Sequence, residues 1–139
     1  NKDVNRTFIL KDNNERNKFA NLKYLFNEEL KGKNIILIDD SLVRGITLKN
    51  LVKNLKDFGV NEVHVRIASP PIIKPCLYGI DIPTQKELIF NSYNDTKNLN
   101  DFLNSDSLKY ISLKKILSVL PNSDKKCSLC LINDPALEW

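Results

Sequence analysis

Hydrophobic residues form a continuous run at 35–38 and then recur at helical spacing between Leu48 and Phe58. The run NIILI at 34–38 is apolar after its first residue and leads directly into Asp39, which is typical of a strand buried on both faces of a parallel sheet. Apolar residues then fall on one helical face, and Gly59 stands where a C-terminal cap belongs. That helical face consists of Leu48, Leu51, Val52, Leu55 and Phe58.

The run EVHVRIAS at 62–69 alternates apolar and polar residues, which predicts a second strand parallel to the first and hence a βαβ unit. The remaining elements are shorter. We expect strands at Arg6–Leu10 and Ser107–Ile111, helices near Phe19–Phe26, Gln85–Asn91 and Leu99–Leu103, and a helix capped by Ser112 that runs through Leu120.

Length and composition favour one ordinary α/β domain with a tail. The 139 residues suffice for a single core, and we expect a domain over 1–120 followed by a polar, turn-rich tail over 121–139. The apolar runs are too short to cross a membrane. A net charge of +4 with dispersed lysines does not indicate nucleic-acid binding. With neither a Met nor an export signal, we expect a cytoplasmic fragment of a longer protein.

Two carboxylates mark the candidate site. Ligands of open α/β sheets bind beyond the carboxyl ends of the strands, where Asp39 and Asp40 lie. Adjacent carboxylates suit a vicinal diol or a hard cation such as Mg²⁺, although acidic residues also end strands simply because they are solvated.

The loop 41–47 that follows has the residue types of an anion site. Gly45 permits close backbone approach, Ser41 and Thr47 carry hydroxyls, and the next helix points its free N–H groups toward the loop. A simple turn in which Thr47 caps the helix explains these residues nearly as well. Neither a Walker motif nor GxGxxG is present.

The stretch IILIDDSLVRGIT at 35–47 resembles the phosphoribosyl-pyrophosphate (PRPP) motif of type I phosphoribosyltransferases. Together with RTFI, EVHVRIASPPIIKPCLYGID and DSLKYISLKKIL, it resembles the carboxyl-terminal half of the glutamine PRPP amidotransferases. The resemblance implies an α/β, type I phosphoribosyltransferase fold, with a mostly parallel sheet flanked by helices and truncated at the amino end.

The resemblance also implies an activity, which is displacement of pyrophosphate from PRPP by ammonia from glutamine in the first step of purine synthesis. Asp39 and Asp40 would hold the ribose hydroxyls and Mg²⁺, and Arg6 would belong to a loop that closes over the substrate. The implied catalytic residues are Asp39, Asp40 and Arg6. The implied PRPP-binding residues are Asp39, Asp40, Ser41, Val43, Arg44, Gly45, Ile46 and Thr47.

Departures from the family pattern limit what the isolated chain is expected to do. Ile46 stands where the family has a threonine, so we expect weaker phosphate binding. The amino-terminal glutaminase domain is missing, so the fragment alone is expected to be inactive. The family usually forms homo-oligomers.

The three cysteines are candidate metal ligands. The spacing CxxC of Cys127 and Cys130 fits structural zinc, a redox pair or two buried thiols. His64 is more typical of a packed or solvated strand residue than of a ligand. By resemblance to the cluster-containing amidotransferases, Cys76, Cys127 and Cys130 would bind a 4Fe-4S cluster whose fourth ligand lies outside this sequence.

Two other functions compete with this interpretation. A non-catalytic regulator that senses PRPP would need a DNA-binding segment, and we find neither a helix-turn-helix pattern nor a basic stripe. A relative of the ribose-phosphate diphosphokinases would share the fold and bind the same compound, but the cysteines and the segment YGID argue against it.

Overall fold

A three-stranded parallel sheet in the order β1-β2-β3 organises the fold. The computed structural model describes residues 26–78, 84–93 and 95–131. The strands are β1 (Asn34–Asp39), β2 (Glu62–Ile67) and β3 (Ser107–Tyr110). The α-helices are α1 (Ile46–Phe58), α2 (Ile89–Tyr93), α3 (Thr96–Leu103) and α4 (Leu113–Val119).

These elements confirm the predicted βαβ unit and the predicted last strand and helix. Gly59 ends α1 in the left-handed conformation at φ 106°, as expected for its C-cap. Ser112 Oγ accepts a hydrogen bond of 3.2 Å from the Lys115 N–H and so caps α4. The segment predicted as one helix from Gln85 is instead a 3-10 turn over Gln85–Glu87 followed by α2. The strand predicted at Arg6–Leu10 lies outside the described residues, as does the helix predicted before Phe26.

The core lies on one face of the sheet, between the strands and helices α1, α2 and α3. Residues Val63, Val65 and Ile67 of the central strand are fully buried there. The helices contribute Leu48, Val52, Leu55, Phe90, Leu99 and Leu103. Alternate side chains of each strand point to this face. Because the strands pair in register, these apolar side chains form rows that run across the sheet.

The opposite face of β1 differs from the prediction. Ile36 and Ile38 are 65% and 70% exposed, whereas a strand buried on both faces was expected. The difference arises because β1 is an edge strand of the described sheet, and the described helices cover only its other face. A continuous apolar run reports the hydrophobicity of both faces, but it does not report whether a partner covers each of them.

Candidate functional site

The two predicted carboxylates lie together at the carboxyl-terminal edge of the sheet. Asp39 is the last residue of β1, and its carbonyl accepts a 2.9 Å hydrogen bond from the N–H of Ala68, just beyond β2. Asp40 follows as an exposed residue. Parallel strands therefore present both carboxylates at the edge where ligands of this architecture bind.

A short hydrogen-bond network fixes the acidic pair. Asp39 Oδ1 accepts from the Asp40 N–H at 2.9 Å, and Ser41 Oγ donates to Asp40 Oδ1 at 3.0 Å. Burial raises the pKa of Asp39 above its ordinary value; the Asp40 N–H opposes this shift and the Asp40 charge adds to it. A cation at this position would favour the ionised form of Asp39, because it would offset both the burial and the repulsion.

The pair offers the type of donor atom that Mg²⁺ takes in sites shared with a phosphorylated substrate. Mg²⁺ usually takes one or two carboxylates and completes its shell with water and substrate phosphates. In the described part of the chain, no group of three or more His, Cys, Asp or Glu side chains is placed to hold a metal ion. Two carboxylates are the protein ligands that Mg²⁺ commonly takes when substrate phosphates complete its shell.

The N-terminus of α1 is open for an anion. Gly45 is its N-cap, with φ 73° and no side-chain capping hydrogen bond, and no acidic residue lies in the first turn. The alternative in which Thr47 caps the helix is wrong, because Thr47 lies inside α1 and is exposed. Uncapped N–H groups and the positive end of a 13-residue helix together favour a phosphate.

Residues far along the chain hold this loop, and the sequence patterns did not reveal them. The Ile89 N–H donates to the Val43 carbonyl at 2.8 Å. A Cβ on Gly45 would overlap Ile89 Cδ1 and lie 3.3 Å from Phe102 Cε1, so Gly45 is required for space as well as for its positive φ. No periodicity links a loop glycine with a helix so distant in sequence.

The other predicted site residues are placed as follows. Ile46 is 62% exposed at the start of α1, and its side chain carries no hydroxyl. Arg44 Nε donates to Glu87 Oε2 at 2.8 Å. Arg6 lies outside the described residues, so its predicted role in loop closure stays a prediction.

The three cysteines line one pocket of about 390 Å³, although Cys76 is far from the others in sequence. The backbone joins their segments, since the Ile73 N–H donates to the Cys130 carbonyl at 2.8 Å and Ile72 forms an antiparallel bridge with Leu131. Burial raises the pKa of the Cys130 thiol, a backbone hydrogen bond lowers it, and the charges of Cys76 and Cys127 raise it. The three thiols thus line one pocket, although in the described part of the chain they are not among any group of three or more side chains placed to hold a metal ion.

His64 is bound within the sheet and is not part of this pocket. Its Nδ1 lies 2.9 Å from Ser107 Oγ and its Nε2 lies 3.0 Å from Glu62 Oε2. Both ring nitrogens are therefore engaged by neighbouring strand residues, which agrees with the sequence-based expectation for this histidine.

Among the described residues, we find no helix with the length and hydropathy needed to cross a membrane.

Comparison with curated proteins relates most of the chain to one enzyme. It is 39% identical over 132 residues to the amidophosphoribosyltransferase of Archaeoglobus fulgidus, covering 94% of this chain and 29% of the relative. It is 47% identical over 114 residues to that of Pyrococcus horikoshii, covering 80% of this chain and 24% of the relative. The human amidophosphoribosyltransferase is 42% identical over 119 residues, covering 85% and 23%. The chain thus spans less than a third of the length of these relatives.

Solved structures show the same relationship. The glutamine PRPP amidotransferase from B. subtilis in complex with ADP and GMP matches with a TM-score of 0.66 and 32% identity, over 99% of this chain and 30% of that one. The structure of an allosteric regulatory enzyme of purine biosynthesis matches with a TM-score of 0.68 and 31% identity, over 94% and 29%. No protein-family model matches the chain. The chain is therefore similar to one segment of the amidophosphoribosyltransferases, and it has the α/β, type I phosphoribosyltransferase fold.

Proposed function

We propose that the protein containing this chain is an amidophosphoribosyltransferase and that this chain supplies its PRPP-binding edge. The observation that carries the proposal is the 39% identity over 132 residues to an amidophosphoribosyltransferase, which covers 94% of this chain. The geometry supports it, because two carboxylates, a left-handed glycine and an uncapped helix N-terminus lie in succession at the ligand-binding edge.

In the proposed reaction, ammonia attacks the anomeric carbon of PRPP as the bond from that carbon to the pyrophosphate oxygen breaks. The products are 5-phosphoribosylamine, pyrophosphate and a proton, and the ammonia comes from hydrolysis of glutamine to glutamate elsewhere in the complete protein. A cytoplasmic location and a homo-oligomeric assembly belong to the same proposal. None of the described side chains needs to act as a nucleophile.

The residues of this chain would act by binding and orienting the substrate. Asp39 and Asp40 would hold the ribose hydroxyls and Mg²⁺, which when bound would neutralise the leaving diphosphate. The N–H groups at the start of α1 would hold the 5-phosphate, since they carry no side-chain cap. Fixing the ribose between these two groups leaves its anomeric carbon in a defined position for attack.

The activity is tested in the complete protein. With PRPP, Mg²⁺ and either glutamine or ammonium, we expect stoichiometric release of pyrophosphate that depends on the nitrogen donor. Release that does not require a nitrogen donor would contradict amidotransfer. ATP-dependent formation of PRPP from ribose 5-phosphate would instead identify a diphosphokinase, and binding of PRPP without turnover would favour a sensor.

We further propose that Cys76, Cys127 and Cys130 bind a 4Fe-4S cluster together with a fourth ligand outside this chain. The donor chemistry fits, because such clusters are held by thiolates, and three thiols converge on one pocket. The cluster's role would be structural, joining the segment around Cys130 to the segment around Cys76.

Substituting one ligand tests the cluster. In the anaerobically purified complete protein, we expect Cys127→Ser to lose most of the iron and acid-labile sulfide and to make the segment after Pro121 more sensitive to protease. Ser128→Ala is the matched control, because it changes the same turn without removing a thiol, and it should retain the iron. Iron content unaffected by Cys127→Ser, or zinc in its place, would contradict the proposal.

A further inference from the structure

The 3-10 turn over Gln85–Glu87 lies against the proposed phosphate loop and carries one side chain that reaches into it. Glu87 Oε2 accepts from Arg44 Nε at 2.8 Å, joining two residues distant in sequence. The Arg44 and Glu87 side chains are 52% and 44% exposed. A surface ion pair of this kind usually contributes little to the free energy of folding. Its importance here depends on how it orients the Arg44 side chain.

The carboxylate of Glu87 is itself fixed. Thr84 Oγ1 donates to Glu87 Oε1 at 3.1 Å, and the Glu87 N–H donates to the Thr84 carbonyl at 2.9 Å. Asn91 Nδ2 donates to the Gln85 carbonyl at 3.3 Å and to the Ile73 carbonyl at 3.0 Å, which anchors the turn to its surroundings. Thr84 and the turn therefore hold Glu87 so that its second carboxylate oxygen, Oε2, faces Arg44.

The contact with Glu87 involves only one of the donors of Arg44. A guanidinium has five N–H donors, one on Nε and four on the two terminal nitrogens. The bond to Glu87 uses Nε, and within the part of the chain that the structure describes, the terminal nitrogens of Arg44 have no hydrogen-bond partner. A carboxylate that holds Nε thus restrains the side chain and leaves four donors for an anion, in the planar arrangement that suits phosphate.

The same segment also restrains the backbone of the loop. The Ile89 N–H donates to the carbonyl of Val43, the residue before Arg44, at 2.8 Å. The segment 87–89 therefore contacts the loop twice. Ile89 binds the loop backbone at Val43, and Glu87 binds the side chain of Arg44. A long flexible side chain loses less conformational entropy on binding a ligand when it is already restrained.

We infer that Glu87 is a positioning residue that holds Arg44 ready to bind a phosphate group of the substrate. The inference rests on the proposed function, because PRPP supplies the anion. Glu87 itself would not contact the substrate. Replacing Glu87 should therefore change the affinity for PRPP but not the rate at which the bound complex reacts.

The test compares Glu87→Gln, Arg44→Ala and the double variant in the complete protein. We expect Glu87→Gln to raise the KM and Kd for PRPP about fivefold while kcat stays within about twofold. This pattern arises when a substitution weakens binding of the substrate and of the transition state equally. Arg44→Ala should raise both by about tenfold or more, and the double variant should match Arg44→Ala, since Glu87 acts through Arg44. Asp57→Asn is the control, because it breaks the exposed Lys53–Asp57 pair of α1, and it should behave as the unaltered protein.

A second readout does not depend on turnover. In NMR spectra of the protein labelled at arginine, the Arg44 Nε–H signal should be protected from exchange with water and should lose that protection in Glu87→Gln. Unchanged PRPP affinity in Glu87→Gln, additive effects in the double variant, or unchanged protection would overturn the role of Glu87. Absence of PRPP binding by the unaltered protein would overturn the proposed function and this inference with it.

Discussion

Replacing both Asp39 and Asp40 by asparagine is expected to lower the affinity of the complete protein for PRPP and Mg²⁺ by at least about 100-fold. Asparagine keeps the size of each side chain and the oxygen that accepts the Asp40 N–H, so the change removes charge with little change of shape. A neutral amide is a poor ligand for a hard cation. Loss of a group that only supports a metal ligand already costs about 10–100-fold in metal affinity, so loss of both carboxylates should cost at least as much. Isothermal titration with PRPP in the presence of Mg²⁺ measures the effect.

The same substitution should not destabilise the protein. Because burial raises the folded-state pKa of Asp39 above 3.8, ionising this carboxyl costs stability as the pH rises through its titration range. Asp39→Asn removes that cost, so near neutral pH the thermal midpoint should be equal to or above that of the unaltered protein. In the unaltered protein, affinity for Mg²⁺ and PRPP should fall as the pH falls through the raised pKa of Asp39.

Asp101→Asn is the matched control for this prediction, because it neutralises an exposed aspartate on α3. It should leave both affinity and thermal midpoint unchanged. If the double variant bound PRPP normally, or if it lost binding only because it unfolded, the assignment of the acidic pair would be wrong.

Replacing Gly45 by alanine is expected to destabilise the protein by about 2–5 kcal/mol, the largest effect on stability that we predict. The left-handed φ of 73° costs an alanine about 1–2 kcal/mol. The new methyl group would also overlap the buried Ile89 side chain and approach Phe102, and overpacking of this kind costs about 1–3 kcal/mol. Thermal and urea-induced unfolding of the complete protein measure the change.

Gly32 offers a control for the backbone component alone. It has nearly the same φ, 70°, but a Cβ added there would meet nothing within 4 Å. Gly32→Ala should therefore cost only the backbone component, about 1–2 kcal/mol. Combining Gly45→Ala with Ile89→Val, which removes the overlapping Cδ1, should recover part of the loss. Equal effects of the two glycine substitutions would show that Ile89 does not restrict this position.

The parts of the fold that depend on local patterns followed from the sequence. Alternation along β2 and helical spacing along α1 report which side chains share a face, so the elements and their parallel pairing were predicted correctly. The position of Asp39 at the end of an apolar run was enough to place it at the ligand-binding edge. These features are local because each is set by neighbouring residues.

Local sequence patterns could not predict the long-range contacts, nor whether other elements cover each face of the sheet. The apolar run at 35–38 gave no sign that Ile36 and Ile38 would be exposed in the described sheet, because exposure depends on which elements cover it. The contacts of Glu87 and Ile89 with the loop 41–47 were missed for a related reason, since they join segments that no shared period connects. The exposure of Thr47 inside α1 depends on where the helix begins, which is the least certain feature of a helical pattern.

In the proposed function, the acidic pair and the loop after it bind PRPP through a divalent cation. A crystal of the complete protein soaked with PRPP and Mn²⁺ tests this arrangement, because Mn²⁺ replaces Mg²⁺ and is visible by its anomalous scattering. We expect the metal beside the carboxylates of Asp39 and Asp40 and the 5-phosphate at the N-terminus of α1. Metal and substrate density at any other place in the protein, with this edge empty, would contradict it.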